Sequence, residues 1–329
     1  MSLAVEVCGL VKNYGKVEVL AGIDLAIPAG TVMGLLGPNG AGKTTTVRIV
    51  TTLLKPTAGS VRVAGVDVLK NPARARTRIG LSGQYAAVDA NLTGYENLKM
   101  VARLYGMSSR QAAARADELL SALGLVHAAG RRAGTYSGGM ARRLDLAGAL
   151  VSRPAVVVLD EPTTGLDPRG RLDMWQVIGD LVVDGTTVLL TTQYLEEADQ
   201  LADRICVIDK GTVIARGSAD ELKQSIGGDR LTVTLAAGHD PQPALRVLAG
   251  VGIGEPAHEA GTDLVSVVVG DGSRSMVEAL RRLDDAGVCV VDANVHRPTL
   301  DEVFLSLTGT DLAAVAESQP DDVAEEISL

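Results

Sequence analysis

The sequence predicts an α/β fold in three layers, followed by a smaller α/β unit. Three observations predict it. Strand-like apolar runs alternate with helical patterns, a glycine-rich loop joins one such run to a helix, and another run ends in two carboxylates. A length of 329 residues allows one large core and a second small one. Contents of 46% apolar and 22% charged residues are those of an ordinary globular protein.

In chain order, Val32-Met33-Gly34-Leu35-Leu36 reads as a short buried strand, followed by the glycine loop and a helix over Lys43–Leu54. From Thr93 to about Gly134 the pattern is helical and rich in Ala, Leu, Glu and Arg, which predicts a helical insertion at about 93–134. Strands resume at Ala155–Leu159, Thr187–Thr191 and Ile205–Ile208. The character changes near Gly227-Gly228, which sets a first domain at 1–228 and a small accessory domain at 229–309. That second part predicts a strand (Leu231–Leu235), a helix (Ala244–Ala249) and a strand (Leu264–Val269). A helix facing inward with Met276, Val277, Leu280 and Leu283 comes next, then the strand Val288–Asp292. Its last helix carries Leu300, Val303, Phe304 and Leu307 at i, i+3, i+4, i+7. Such a stripe either covers its own sheet or meets a partner. Residues 310–329 contain six acids and no Lys or Arg, and are expected to form a disordered acidic tail.

Several function classes are disfavoured. No apolar run approaches the roughly 18 residues that cross a bilayer, and Met1-Ser2-Leu3-Ala4-Val5-Glu6 lacks the features of a signal peptide. The expectation is a cytoplasmic protein with no direct membrane span, reaching a membrane only through a partner. A net charge of −9 without a local basic patch argues against nucleic acid. Cys8, Cys206 and Cys289 have no metal-type spacing and are expected to be small buried residues. With one Trp and one Phe, the chain is not expected to build an aromatic drug pocket alone.

The chemistry starts at Gly37-Pro38-Asn39-Gly40-Ala41-Gly42-Lys43-Thr44, which fits G-x-x-x-x-G-K-[ST] between a strand and a helix. Glycines let successive backbone N–H groups wrap phosphate oxygens, and the helix N-terminus adds its dipole. Gly37, Asn39, Gly40, Ala41, Gly42, Lys43, Thr44 and Thr45 are the candidate cradle, with Lys43 on the β/γ-phosphates and Thr44 on Mg²⁺. A bare helix-capping turn would share the glycines, but the flanking strand and helix favour the cradle. Val156-Val157-Val158-Leu159-Asp160-Glu161 reads as a buried strand ending in two acids. Asp160 suits the metal, and Glu161 suits orienting or deprotonating a water. An acid pair before Pro162 can also merely end a strand, and the upstream loop tips the reading towards a P-loop NTPase.

The subclass rests on Tyr136-Ser137-Gly138-Gly139-Met140-Ala141-Arg142-Arg143, which resembles the ABC signature. Thr164-Gly165-Leu166-Asp167 resembles the D-loop, and Gln84 stands at the place of the Q-loop glutamine, implying a catalytic and Mg²⁺-binding role. Tyr14 stands where the family stacks an aromatic ring on adenine, a contact worth roughly 1–3 kcal/mol. The resemblance implies a head-to-tail homodimer, or a pair with a homologue, in which one subunit's Lys43 loop and the other's Ser137, Gly138, Gly139 and Asp167 clamp each ATP. It runs from residue 4 to about 309. Asp145, Trp175, the run Leu190–Asp199 and Leu300-Asp301-Glu302-Val303-Phe304 are similar to the daunorubicin-resistance (DrrA-like) exporter subfamily.

That subfamily implies efflux of polyketide, antibiotic or lipid-like molecules through a separate membrane permease, contacted around residues 84 to 107. It also implies ATP and Mg²⁺ as cofactors and a peripheral location at the inner face of the membrane. One departure stands out: the usual switch histidine is Gln193, which can donate to a γ-phosphate oxygen but carries no titrating charge. His127, His239, His258 and His296 lie elsewhere and are expected at the surface. Two other readings stay open, a soluble ABC ATPase acting outside transport and a nucleotide-gated binding protein. Neither fused cassettes nor a long coiled-coil insertion, which would favour the soluble ATPase, is present.

Overall fold

The computed structural model describes residues 2–83, 87–225, 228–259 and 261–308. Its contacts divide the chain into residues 1–218 and 219–329. The first unit opens with β1 (Leu3–Tyr14), β2 (Val17–Pro28), β3 (Val32–Leu36), α1 (Lys43–Val50), β4 (Ala58–Val63), β5 (Val66–Asp67), α2 (Pro72–Arg76) and β6 (Ile79–Ser82). It continues with α3 (Gly94–Leu104), α4 (Ser109–Ala122), α5 (Gly138–Leu150), β7 (Val156–Asp160), α6 (Pro168–Val183), β8 (Thr187–Thr192), α7 (Leu195–Leu201), β9 (Arg204–Asp209) and β10 (Thr212–Gly217).

Two sheets share its main core. One is antiparallel in the order β2-β1-β4-β5, and the other runs β10-β9-β3-β8-β7-β6, parallel except for β10. Strands β3, β7 and β8 are buried along their whole length, as strands covered on both faces must be. The order β3-β8-β7-β6 sets Leu36, Thr192, Asp160 and Ser82 side by side at the carboxyl edge of the parallel sheet. Ligands of open α/β sheets gather at that edge.

Helix α1 is shorter than the sequence suggests. It ends at Val50 because Thr52 turns left-handed (φ 66°) and the N–H groups of Leu53 and Leu54 fold back onto Arg48 O. The insertion is two main helices rather than one helical run. Each starts with a capping box, Thr93 with Glu96 and Ser108 with Gln111.

The second unit contains α8 (Ala219–Ser225), β11 (Asp229–Leu235), α9 (Pro241–Ala249), β12 (Ala257–His258), β13 (Leu264–Val269), α10 (Gly272–Asp285), β14 (Val290–His296) and α11 (Leu300–Thr308). The antiparallel order β12-β13-β11-β14 with two helices is the split βαβ arrangement of ferredoxin-like folds. Leu231, Val233, Leu235, Val265, Val267 and Val269 form its sheet face, packed by Ala244, Leu248, Ala279 and Leu283.

Several expectations need correction here. Val277 is 67% exposed and Ala279 takes the inward place, since a valine on the flank of a helix is left outside by the geometry of the face. The last strand begins at Val290 and runs on to His296, paired to β11 along its length. On α11, Leu300, Val303 and Phe304 are buried but Leu307 is 38% exposed, and the helix packs against α8. Cys8 and Cys289 are exposed, and Cys206 alone is buried, where burial pushes its thiol up to about 11. All four histidines are exposed. The predicted acidic tail lies outside the described residues.

Candidate functional site

The glycine loop leaves β3 and closes onto α1. Gly40 (φ 80°) and Gly42 (φ 107°) hold the left-handed turns that β-carbons disfavour. At Gly37 a Cβ would run into Ile208 O on the neighbouring strand β9. The loop is fastened from outside: Gly211 N donates to Ala41 O at 3.1 Å, and Ala21 N to Gly211 O at 2.9 Å. Lys43 is 4% exposed, with Nζ donating to Gly37 O at 2.7 Å and Pro38 O at 3.1 Å. Burial lowers the pKa of its ammonium from the ordinary lysine value, while the Glu161 and Asp160 carboxylates oppose that shift. The glycine loop and the acid pair therefore share one electrostatic environment.

Asp160 is 5% exposed, and its Oδ1 accepts from Thr191 Oγ1 at 2.5 Å across the β7–β8 ladder. Glu161 leaves the strand in a left-handed conformation (φ 50°), uncommon for a residue with a side chain. Its N–H is held by Thr191, at 3.0 Å to the carbonyl and 3.2 Å to Oγ1. That turn separates the two acids, one fixed in the sheet edge and the other half-buried beyond it.

The residues present fit a magnesium ion. Thr46 Oγ1 is engaged with Gly42 O at 2.9 Å, whereas the neighbouring Thr44 Oγ1 makes no hydrogen bond among the described residues. Asp160 keeps a second carboxylate oxygen beside the one that binds Thr191. An all-oxygen donor set of hydroxyl and carboxylate suits a hard cation. Gln84 lies outside the described residues.

Ser137 caps α5, accepting from Met140 N at 3.4 Å, and Asp167 caps α6, accepting from Gly170 N at 2.8 Å. Ser137, Gly138 and Gly139 line one hollow together with Gly165, Leu166 and Asp167, and no residue of the glycine loop lines it. Gln193 follows β8 at the same sheet edge as the acids and is half-buried. Tyr14 ends β1, 44% exposed, with Lys12 Nζ 5.0 Å from its ring centroid.

Sequence reasoning named the residues that hold these groups in place only as parts of motifs and missed their positioning roles. Arg142 reaches four backbone carbonyls, and Thr191 bridges both acids. Asp145 accepts from Ser82 Oγ and Ala87 N. Glu197 is fully buried and accepts from Trp175 Nε1 at 3.2 Å. The available signal was charge or hydroxyl within apolar stretches, where a polar group must find partners.

A cassette of this fold, with a glycine loop and acid pair at one sheet edge and a serine-glycine helix start, is matched by the ABC transporter family over residues 20–164. Residues 217–308 match the C-terminal domain of DrrA1-3-like ATP-binding proteins. The chain belongs to the ABC transporter ATP-binding proteins, which bind and hydrolyse ATP. It is 52% identical to the daunorubicin resistance ATP-binding protein DrrA2 of Streptomyces coeruleorubidus, over 93% of this chain and 95% of that protein. To the daunorubicin/doxorubicin resistance ATP-binding protein DrrA of Streptomyces peucetius it is 49% identical, covering 93% and 92%. It is also similar to the solved dimeric structure of the ATP-binding cassette MJ0796 bound to ADP and Pi. That likeness has a TM-score of 0.60 and 27% identity over 65% of this chain and 98% of that one.

Proposed function

We propose that this chain powers export of a drug-like, antibiotic or lipid-like molecule through a separate membrane permease, as a homodimer at the inner face of the membrane. Residues 1–218 act as the ATPase domain and those from 219 onward as the accessory domain, a boundary earlier than the expected 228 because α8 packs on α11. The observation that supports the reading most is the meeting of the Lys43 loop with Asp160 and Glu161 at one sheet edge. The names of the relatives, which are resistance proteins, favour drug-like cargo.

In the proposed mechanism the backbone from Gly37 to Thr45 receives the phosphates, and Lys43 moves its ammonium from loop carbonyls to phosphate oxygens. Tyr14 stacks on adenine. Thr44 and Asp160 would hold Mg²⁺, to which the family resemblance also assigns Gln84, and the bound ion would neutralise phosphate charge. Glu161 orients the attacking water and takes its proton, and Gln193 donates to the γ-phosphate. Ser137, Gly138, Gly139 and Asp167 complete the site of the second subunit, in keeping with their separate hollow. The permease docks at the depression lined by Leu53, Val88, Leu98, Val101 and Tyr105.

Glu161→Gln tests this reading. The variant should bind Mg-ATP, lose hydrolysis and accumulate as an ATP-dependent dimer on gel filtration. Hydrolysis at the wild-type rate would remove Glu161 from its role.

A further inference from the structure

We propose that Arg142 and Asp145 are positioning residues that make α5, the helix beginning at Ser137, a common mount for two loops of the nucleotide site. The inference rests on the proposed role of Glu161. One guanidinium serves four carbonyls. Nη1 donates to Gly83 O at 2.6 Å, Nη2 to Asp160 O at 3.0 Å and Glu161 O at 2.8 Å, and Nε to Pro162 O at 2.9 Å. About one helical turn further on, Asp145 accepts from Ser82 Oγ at 2.6 Å and from Ala87 N at 2.7 Å. The pair thus grips the acidic turn 160–162 with one hand, and Ser82, Gly83 and Ala87 with the other.

Two further features support a rigid mount. Helix α5 lies directly on β6, for at Gly80 a Cβ would run into Ala149 O. Arg142, Asp145 and Ser82 are 8%, 5% and 1% exposed, so both charged side chains and the serine hydroxyl are largely withdrawn from water. Burial lowers the pKa of Arg142 and raises that of Asp145, which marks both charges as costly where they stand. Apolar side chains of similar volume would pack a helix on a strand at no such cost. What the charges add is direction: a planar fork of five donors fixes several carbonyls at once, and a carboxylate fixes two donors. In this arrangement a shift of the Ser137–Gly139 helix start carries the Glu161 turn and the end of β6 with it.

The test uses the full-length protein with Arg142→Lys and Asp145→Asn. ATPase is measured across ATP concentrations with Mg²⁺, and amide hydrogen exchange is followed in peptides 79–90 and 156–166. Lysine keeps the charge but cannot span four carbonyls, and asparagine keeps the shape but loses one acceptor. Each variant should lose about tenfold in kcat, because small misplacements of reacting groups are expensive in rate, with KM changed less than about twofold. Arg142→Lys should speed exchange in both peptides, and Asp145→Asn in the first alone. Faster exchange in neither peptide or only one for Arg142→Lys would overturn the proposal. So would a loss of rate that tracks ATP affinity and melting temperature. If Arg142→Lys does not fold, Asp145→Asn with wild-type kcat overturns it by itself. Glu161→Gln separates the two ideas: an active variant ends the catalytic reading, while the exchange pattern still decides whether the loops share a mount.

Discussion

Thr191→Val would strike the most economical contact in the site. Thr191 is fully buried, and its hydroxyl both donates to Asp160 Oδ1 and accepts from Glu161 N. Valine has nearly the same shape, so packing is kept while the hydroxyl goes. A hydrogen bond to a charged group contributes about 1.5–3 kcal/mol. The Glu161 N–H keeps its bond to Thr191 O, which limits the further loss. A destabilisation of about 2 kcal/mol is therefore expected, or about 4–8 °C in melting temperature for a unit of this size. The rate should fall as well, since both acids lose a shared anchor. Thr191→Ser is the control: it keeps the hydroxyl and loses one methyl, about 1 kcal/mol, with kcat close to wild type. Calorimetry and steady-state ATPase on the three proteins make the comparison. A valine variant with unchanged melting and rate, or a serine variant equally impaired in kcat, would refute the reasoning.

Three other outcomes are expected. Gln193→Ala should lose about tenfold or more in kcat at little change in KM, and Gln193→His should keep activity while adding an acid limb near pH about 6.5, both read from pH 5.5 to 9 as approximate limits. Phe304→Ala should cost about 3–5 kcal/mol in urea unfolding of the second unit, because Phe304 is 1% exposed on α11. Burial raises the Glu197 carboxyl, against its Thr192, Thr163 and Trp175 neighbours, so the native state holds that proton more tightly than the unfolded chain. The penalty is absent below the unfolded carboxylate range and complete above the raised folded value. Unfolding of Glu197→Gln and parent side by side should show the glutamine variant gaining relative stability as pH rises from about 4 to 7.

The motifs were legible because they are local. Gly37–Thr44 and Val156–Glu161 each carry their geometry within a few residues, as a strand, a turn and a helix start. Strand β3 matched its expected limits, Val32–Leu36, because a run buried on both faces has sharp polar ends. Distances across the fold were not legible. Arg142 and Gly83 are 59 residues apart, and no periodicity relates them. Helix α1 ran too long in the sequence reading because Leu53 and Leu54 continue the apolar pattern beyond the left-handed Thr52 that ends it. Val277 was misplaced because its apolar side chain outweighed the small Ala279 in defining the helix face. The packing of α11 on α8 was hidden because α8 is too short to declare an apolar stripe.

The left-handed backbone at Glu161 sets a trap for anyone improving this protein. Glycine adopts φ 50° without penalty and asparagine tolerates it well, so either substitution should relax the turn that glutamate holds under strain. Directed evolution for heat resistance would then favour chains that have given up the carboxylate. Survivors ranked by melting temperature alone would be enriched in sturdy cassettes that no longer turn over, and only a selection that also demands ATP consumption would retain the native residue.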